Sequence, residues 1–316
     1  MSAAERQLRE LLGGEWAGEV YWQAPLAEWS SLRIGGPALA LVRPGSVEAV
    51  RRLVMGCEAG GLPWLVIGGG TNLLVADAGF PGLVLVLGRE FGAIRECGID
   101  QEGRCLVEVE AGCSLARLLG WSQRRGLGGL EFTIGIPGSV GGAVVMNAGA
   151  WGGEIKDVLA GIQVLLPGGV VERWEREILA FSYRRWSGPV GALVLSATFA
   201  LTPAEPAGIK AVCRGHLQRR RGKQPRGVAS AGSFFKNPPG DYAGRLIEAA
   251  GLKGKAVGGA RVSEVHANFL VNTGGATAAE MLALMRLVQE KVMARSGIWL
   301  EPEVRIIDQA GLPVER

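Results

Sequence analysis

No window of this sequence approaches 18 consecutive apolar residues, so no membrane-spanning helix is expected. The opening residues, M-S-A-A-E-R-Q-L-R-E-L-L, carry charge from position 5 onward with no long apolar stretch behind them, and no signal peptide is expected. Cysteine is sparse: Cys57, Cys97, Cys105, Cys113 and Cys213 are scattered, odd in number and without a C-x-x-C pair. That spacing argues against a structural zinc and for a reducing compartment, hence a cytoplasmic protein. Charge of one sign is also scarce. A net +4 is too mild for the wide basic face of a long nucleic-acid footprint and suits an anionic small molecule better. The one basic run, Arg219-Arg220-Arg221-Gly222-Lys223-Gln224-Pro225-Arg226, has no interleaved aromatic on which a base could stack. It reads either as a solvated helix end or as a diphosphate-binding arm.

Glycine is what the sequence has in excess. Fifty glycines in 316 residues is roughly twice the usual share, with no collagen period and no low complexity, so they serve turns and close backbone approach. Two stretches concentrate them. Thr133 to Glu154 reads T-I-G-I-P-G-S-V-G-G-A-V-V-M-N-A-G-A-W-G-G-E, and Ile67 to Asn72 reads I-G-G-G-T-N directly after an apolar run. Glycine permits positive φ and leaves amide N–H groups uncovered, so a glycine loop running into a helix start can cradle a phosphate; plain turns between strands are the competing reading. Neither stretch is the dinucleotide fingerprint. G-G-G-T-N lacks the G-x-G-x-x-G spacing, and the L-L-V-A-D-A-G-F-P-G after it is too turn-rich for an amphipathic helix.

Around these loops the chain alternates elements. A short amphipathic helix opens it. Ser46 caps a second helix with apolar Val47, Val50, Val54 and Cys57, ended by Gly60-Gly61, and a buried strand from Trp64 to Ile67 runs into the first glycine loop. Strand character dominates from Leu83: Leu83 to Leu87, Leu106 to Glu110, a hairpin from Ile162 to Trp174 around Pro167-Gly168-Gly169, and Ala192 to Leu201, with one helix from Ser114 to Arg124. Thr202-Pro203-Ala204-Glu205-Pro206 reads as a domain linker. Beyond it lie a helix capped by Asp241 and ending at Gly251, a strand within H-A-N-F-L-V-N, and a helix from Thr277 to Gly297. In that last helix Thr277 and Glu280 form a capping box and Met281, Leu284, Leu287, Val288 and Val292 form its buried stripe. A final strand from Ile298 to Ile307 places Glu301, Glu303 and Arg305 on one face. The fold class is α+β.

The ordered set I-G-G-G-T-N, G-I-P-G-S-V-G-G-A, M-N-A-G-A, F-S-Y-R, S-A-G-S-F-F-K-N-P, H-A-N-F-L-V-N and L-E-P-E-V-R resembles the UDP-N-acetylenolpyruvoylglucosamine reductase (MurB) family from about residue 28 to 308. The resemblance implies a vanillyl-alcohol-oxidase-like FAD-binding fold of two α+β subdomains, residues 1–82 and 83–203, a separate α+β substrate-binding domain over 204–300, and a C-terminal strand and tail, 301–316, returning to the FAD-binding region. It implies non-covalent FAD, NADPH as reductant and a UDP-sugar enolpyruvyl ether as substrate, within peptidoglycan precursor synthesis. The enzyme is expected to act as a monomer, without nucleic-acid partner, membrane insertion or metal. Carried onto this chain, the proton donor is Ser233, and Arg184 and Glu303 steady the enolate-like intermediate. The flavin contacts are Gly68, Gly69, Gly70, Thr71, Asn72, Gly135, Ile136, Pro137, Gly138, Ser139, Gly142, Ala143 and Asn147. Lys223, Lys236 and Asn237 face the uridine diphosphate. His216 and His266 are placed off the flavin.

Residue chemistry agrees with those roles. Hydride addition to a carboxyl-conjugated alkene pushes charge onto the carboxylate, so a planar guanidinium aimed there favours the transition state. A serine hydroxyl is a poor acid in water but can protonate a strongly basic carbanion-like centre. Glu303 hydrogen-bonds the carboxylate if protonated or orients a neighbour if ionised. Taken singly, Ser233 is equally a turn hydroxyl, Arg184 a surface pair and Glu303 a solvent-facing residue. One departure concerns F-S-Y-R, where Trp186 stands where the family often has serine, which questions the local loop shape. Ser187-Gly188-Pro189 leads almost directly into the next strand, leaving no room for an inserted tyrosine loop, so the chain matches the shorter subclass and is expected to close its cleft by movement of the third domain. The alternatives are another FAD oxidoreductase of this fold, acting on an alcohol or lactone, and a non-enzymatic nucleotide or nucleic-acid binder using residues 219–226.

Overall fold

The computed structural model describes residues 1–13 and 18–308. The chain forms two compact units, one from Met1–Tyr21, Leu41–Gly69 and Leu83–Arg219, the other from Trp22–Ala40, Gly70–Gly82 and Arg220–Arg316.

In the first unit the organising element is the strand Leu193–Pro203, whose first nine residues are all buried. Apolar residues on both faces of a strand mean that both faces are covered. Its neighbours are Cys105–Glu110 on one side and Leu159–Leu165 on the other, with Ile94–Ile99 and Val171–Glu175 at the edges and Leu127–Gly128 pairing its far end. All these pairings are antiparallel. Val107, Val109, Leu118, Val140, Val144, Ile162, Val164, Ala197 and Phe199 fill one core. The helix Val47–Ala59 has Ser46 as its N-cap, accepting from the Ala49 amide at 3.1 Å, and Leu115–Arg125 is capped by Ser114 in the same way. Trp64–Ile67 pairs in parallel with residues 83–86.

The prolines at 203 and 206 end one strand and start one helix. Pro206–Arg220 buries Ile209 and Cys213 in the first unit's core, where the Gln123 amide donates to Cys213 Sγ at 3.2 Å. The edge strand Ile94–Ile99 was not legible in the sequence. Five of its six residues are exposed and a register shift falls between Glu96 and Gly98, so it has no apolar alternation to read.

In the second unit, Ala229–Ser230, Leu270–Asn272, Ala260–Val262 and Ala256–Val257 form an antiparallel sheet. The helix Ala278–Ser296 shares a core with it built on Phe234, Phe235, Leu246, Ile247, Met281, Leu284 and Val288. That helix has the expected Thr277–Glu280 capping box and a left-handed Gly297 at its end. Asp77 adds a second carboxylate at its first turn, accepting from the amides of Ala278 and Ala279 at 2.7 and 3.0 Å.

Two expectations need correcting. The last strand covers only Arg305–Ile307, paired in parallel with Leu73–Val75. Pro302, with no amide to donate, limits the preceding residues to a single bridge with Phe235. The helix Ala243–Ala249 is not capped by Asp241, whose carboxylate takes the Tyr242 amide and the Arg245 guanidinium. Instead Asn237 Oδ1 accepts from the Ala243 amide at 3.1 Å.

Candidate active site

The glycine stretch of the first unit runs through a loop into a short helix, Val140–Val145, whose N-cap Ser139 accepts from the Gly142 amide. A Cβ on Gly68 would collide with Ser139 Oγ, so the first glycine loop lies directly on this cap. Gly135 and Gly138 have φ of 74° and 125°, values open to glycine. The amides at the helix start are already committed, however. Val140 N donates to Cys113 O and Gly141 N to Ala111 O, at 2.8 and 2.9 Å. Among the described residues the amides of Gly69 and Gly138 have no such partner, and they sit in partly or fully exposed backbone. A bare, closely approachable backbone with spare donors fits a diphosphate-bearing cofactor. Ile136 and Pro137 flank it, while Ala143 is buried.

Asn147 is different from the other residues of this stretch. It is fully buried at φ 39°. Its amide nitrogen donates to Glu154 Oε2 at 3.0 Å and to the Ser182 carbonyl at 3.2 Å, and its oxygen accepts from the Lys156 amide at 3.1 Å. Glu154 also pairs with Lys156 Nζ at 2.7 Å. Burial alone would raise the Glu154 carboxyl, but hydrogen bonds from Lys156 and Asn147 and the charges of Lys156 and Arg184 prevail and hold it below the usual carboxylate range.

Arg184 stands two residues past Ser182, at the tip of a two-residue turn. Phe181 pairs with Trp186 and Ser182 with Arg185, leaving Tyr183 and Arg184 as the loop. Trp186 is buried and meets Trp174 edge-on, so here the tryptophan anchors the hairpin in the core. Arg184 has φ 59°, its guanidinium lies 4.9 Å from the centre of the Tyr183 ring, and one Nη donates to the Gly149 carbonyl at 3.0 Å. Gly149 pairs across a small hairpin with Glu154, and Trp151 at its tip stacks on His216 at 5.1 Å.

In the second unit Ser233 follows Gly232, which has φ 78°. Phe234 N donates to Asn268 O, and Glu303 N donates to Phe234 O, both at 2.8 Å. Lys236 N donates to Glu301 O, and Lys236 Nζ pairs with the Glu301 carboxylate at 2.9 Å. The backbone therefore brings Ser233, Lys236 and Glu303 into one short ladder. Asn268, 3% exposed, fixes the other side, its amide accepting from Phe235 N at 3.0 Å and donating to Phe235 O at 2.8 Å. The sequence reading missed this asparagine; a polar residue inside the apolar H-A-N-F-L-V-N was its signal.

The first glycine loop continues into this unit. Gly70 O accepts from Ser31 N, and a Cβ on Gly70 would collide with the Trp29 carbonyl. Thr71 is half-buried, and Asn72 Nδ2 donates to the Glu303 carbonyl at 3.0 Å. Asn237, as the helix cap, has a structural task, whereas Lys223 is exposed in the turn after the helix Pro206–Arg220. Arg184 belongs to one unit and Ser233 and Glu303 to the other. Among the described residues no cluster of His, Cys, Asp and Glu is arranged to hold a metal, and no helix is long and apolar enough to cross a membrane.

Residues 38–175 match the profile of an FAD-binding domain, and residues 224–307 that of the UDP-N-acetylenolpyruvoylglucosamine reductase C-terminal domain. The UDP-N-acetylenolpyruvoylglucosamine reductase 2 of Symbiobacterium thermophilum is 46% identical over 97% of each chain. The reductase of Geobacter sulfurreducens is 45% identical over 95% of this chain and 98% of its own. The crystal structure of the Thermus caldophilus reductase superposes with a TM-score of 0.78 at 37% identity, covering 92% of this chain and 99% of that one. Near-complete coverage at this identity carries the whole architecture and not only a shared cofactor domain, so the chain belongs to the UDP-N-acetylenolpyruvoylglucosamine reductase family.

Proposed function

We propose that this chain is a UDP-N-acetylmuramate dehydrogenase, reducing the enolpyruvyl group of UDP-N-acetylglucosamine enolpyruvate to UDP-N-acetylmuramate with NADPH, for peptidoglycan precursor synthesis. The observation that carries this reading is the 46% identity to a named reductase across 97% of both chains. The bare glycine backbone at Gly69 and Gly138 is where this chain would hold FAD, with Gly68, Gly135, Ile136, Pro137, Ser139, Gly142 and Ala143 as further candidate contacts in the first unit and Gly70, Thr71 and Asn72 as candidates in the second. When bound, FAD would supply the hydride chemistry that links NADPH to the terminal enolpyruvyl carbon.

The protein's own groups do the rest. Arg184 holds the substrate carboxylate, where charge grows as hydride arrives, and so stabilises the transition state more than the ground state. Ser233 Oγ gives its proton to the neighbouring carbon. Its hydroxyl has no hydrogen-bond partner among the described residues, which leaves it available to a substrate atom. Glu303, on the backbone rung beside Phe234, orients the reacting carboxylate or its neighbours. Lys223 and Lys236 serve the uridine diphosphate, Lys236 by exchanging its exposed Glu301 partner for phosphate.

In this reading residues 1–82 and 83–203 serve the flavin and 204–300 the substrate, while the tail expected over 301–316 lies from residue 309 onward outside the described residues. The enzyme works as a cytoplasmic monomer on small molecules and closes by domain movement. Anaerobic titration tests the reaction: NADPH bleaches the flavin absorbance and the enolpyruvyl nucleotide restores it, with UDP-N-acetylmuramate as product. Fast reaction of the reduced protein with oxygen, and none with the nucleotide, would assign it to alcohol or lactone oxidation instead.

A further inference from the structure

Backbone strain in this molecule is concentrated. Of the five non-glycine residues at positive φ among the described residues, Asn147, Trp151 and Arg184 belong to one cluster in the first unit. Asparagine tolerates that conformation, but for tryptophan and arginine it is strained. Such strain persists only where surrounding contacts over-determine it. Those contacts converge on Arg184. Gly149 lends it a carbonyl, and a Cβ at Gly149 would stand 3.3 Å from Arg184 Nη1 and 2.8 Å from Glu154 Cγ, so the arginine and the glutamate share the space that this missing side chain leaves. The hairpin bearing Gly149 is pinned at its tip by the Trp151–His216 stack and at its base by Asn147. Asn147 in turn holds the Ser182 carbonyl, at the entry to the turn that carries Arg184.

We infer that Asn147, acting with Glu154, is a positioning residue for Arg184 and not a flavin contact. Both amide hydrogens are spent, one on each of the two hairpins whose meeting aims the guanidinium, and the oxygen is spent on Lys156 N. A fully buried amide so committed has no donor left for a cofactor. Glu154 limits where the guanidinium can swing, because its carboxylate is tied to Asn147 and Lys156 on one side while its stem packs over Gly149 on the other. The inference rests on Arg184 being the cation that meets the substrate carboxylate.

The test is a double-mutant cycle in the flavin-loaded protein, with Asn147→Asp, Arg184→Ala and the pair. Aspartate keeps the shape and the acceptor for Lys156 N but loses both donors. Expected are wild-type flavin content, near-normal reduction by NADPH, and reoxidation by the enolpyruvyl nucleotide slowed about 10- to 100-fold. The double variant should be no slower than Arg184→Ala alone. Calorimetry supplies a readout apart from turnover: Asn147→Asp weakens binding of the enolpyruvyl nucleotide but leaves UDP-N-acetylglucosamine, which lacks the carboxylate, unchanged. Should Asn147→Asp fail to fold, Glu154→Gln carries the same cycle with a smaller slowing, about three- to tenfold. Loss of flavin, equal slowing of both half-reactions, or losses that multiply in the double variant would overturn the positioning role. Unimpaired reoxidation in Arg184→Ala would instead overturn the assignment of Arg184 itself, and the inference with it.

Discussion

Arg184 in the first unit and Ser233 in the second are mounted in different ways. Arg184 occupies a strained turn, and side chains hold it: Asn147, Glu154 and the Trp151–His216 stack each fix a part of its surroundings. Ser233 has the opposite support. Its neighbours Phe234 and Phe235 are fully buried, and backbone bonds to Asn268 and Glu303 hold the segment on both sides, with only Gly232 in a left-handed conformation. A side-chain network can be altered with little effect on the fold, because the hairpins it joins have their own ladders. A segment that is part of a core cannot. Catalysis and stability should therefore separate in the first unit and travel together in the second.

The largest effect expected is that of Arg184→Ala. Removing the guanidinium should slow reoxidation by the nucleotide on the order of 100- to 1000-fold while thermal stability stays within about a degree or two, as measured by rapid mixing and melting. A large loss of stability would break the contrast. Ser233→Ala should slow the same half-reaction on the order of 100-fold, the usual contribution of a positioned acid, and leave reduction by NADPH intact.

Asn268→Ala sharpens the other side of the comparison. It leaves Phe235 N and O buried without partners, at about 1–3 kcal/mol each, so both the melting temperature and the nucleotide half-reaction should fall. Normal melting with slow reoxidation would make Asn268 resemble Asn147 and erase the difference.

A smaller, pH-dependent effect involves His266, whose Nδ1 accepts from the Asn268 amide at 3.2 Å. Burial first, and then the Lys253 charge, hold this imidazole below its ordinary value. The unfolded chain therefore binds the proton more readily. The neutral ring's contribution is present above the unfolded pKa, about 6.5, and is lost as pH falls below it. Melting temperature should drop between about pH 7 and pH 5, and His266→Gln should flatten that part of the profile. An unchanged profile would remove His266 from the support of the Ser233 segment.

Much of the fold was legible because it is periodic or capped. Ser46, Ser114 and Thr277 start helices as their residue types suggest, and the apolar runs at Trp64–Ile67 and Leu193–Pro203 are strands. What escaped the sequence depends on distant partners. The Tyr183-Arg184 turn contains no glycine, and its positive φ is sustained by Gly149 and Asn147, some 35 residues away. Asn147 follows the glycine motif and is grouped with the flavin contacts by its sequence position, while its side-chain hydrogen bonds run to Glu154, the Ser182 carbonyl and Lys156 N. The helix-start amides after Ser139 looked free in sequence and are taken by Ala111 and Cys113. Local chemistry marks where a backbone is bare, but long-range packing decides which of its donors remain.

The most direct test is anaerobic stopped-flow of the two half-reactions, comparing wild type with Arg184→Ala and Ser233→Ala. The account predicts NADPH reduction within about twofold of wild type in all three proteins and nucleotide reoxidation slowed by about 100-fold or more in both variants. Equal slowing of both halves, or a wild-type protein that the nucleotide does not reoxidise, would contradict it.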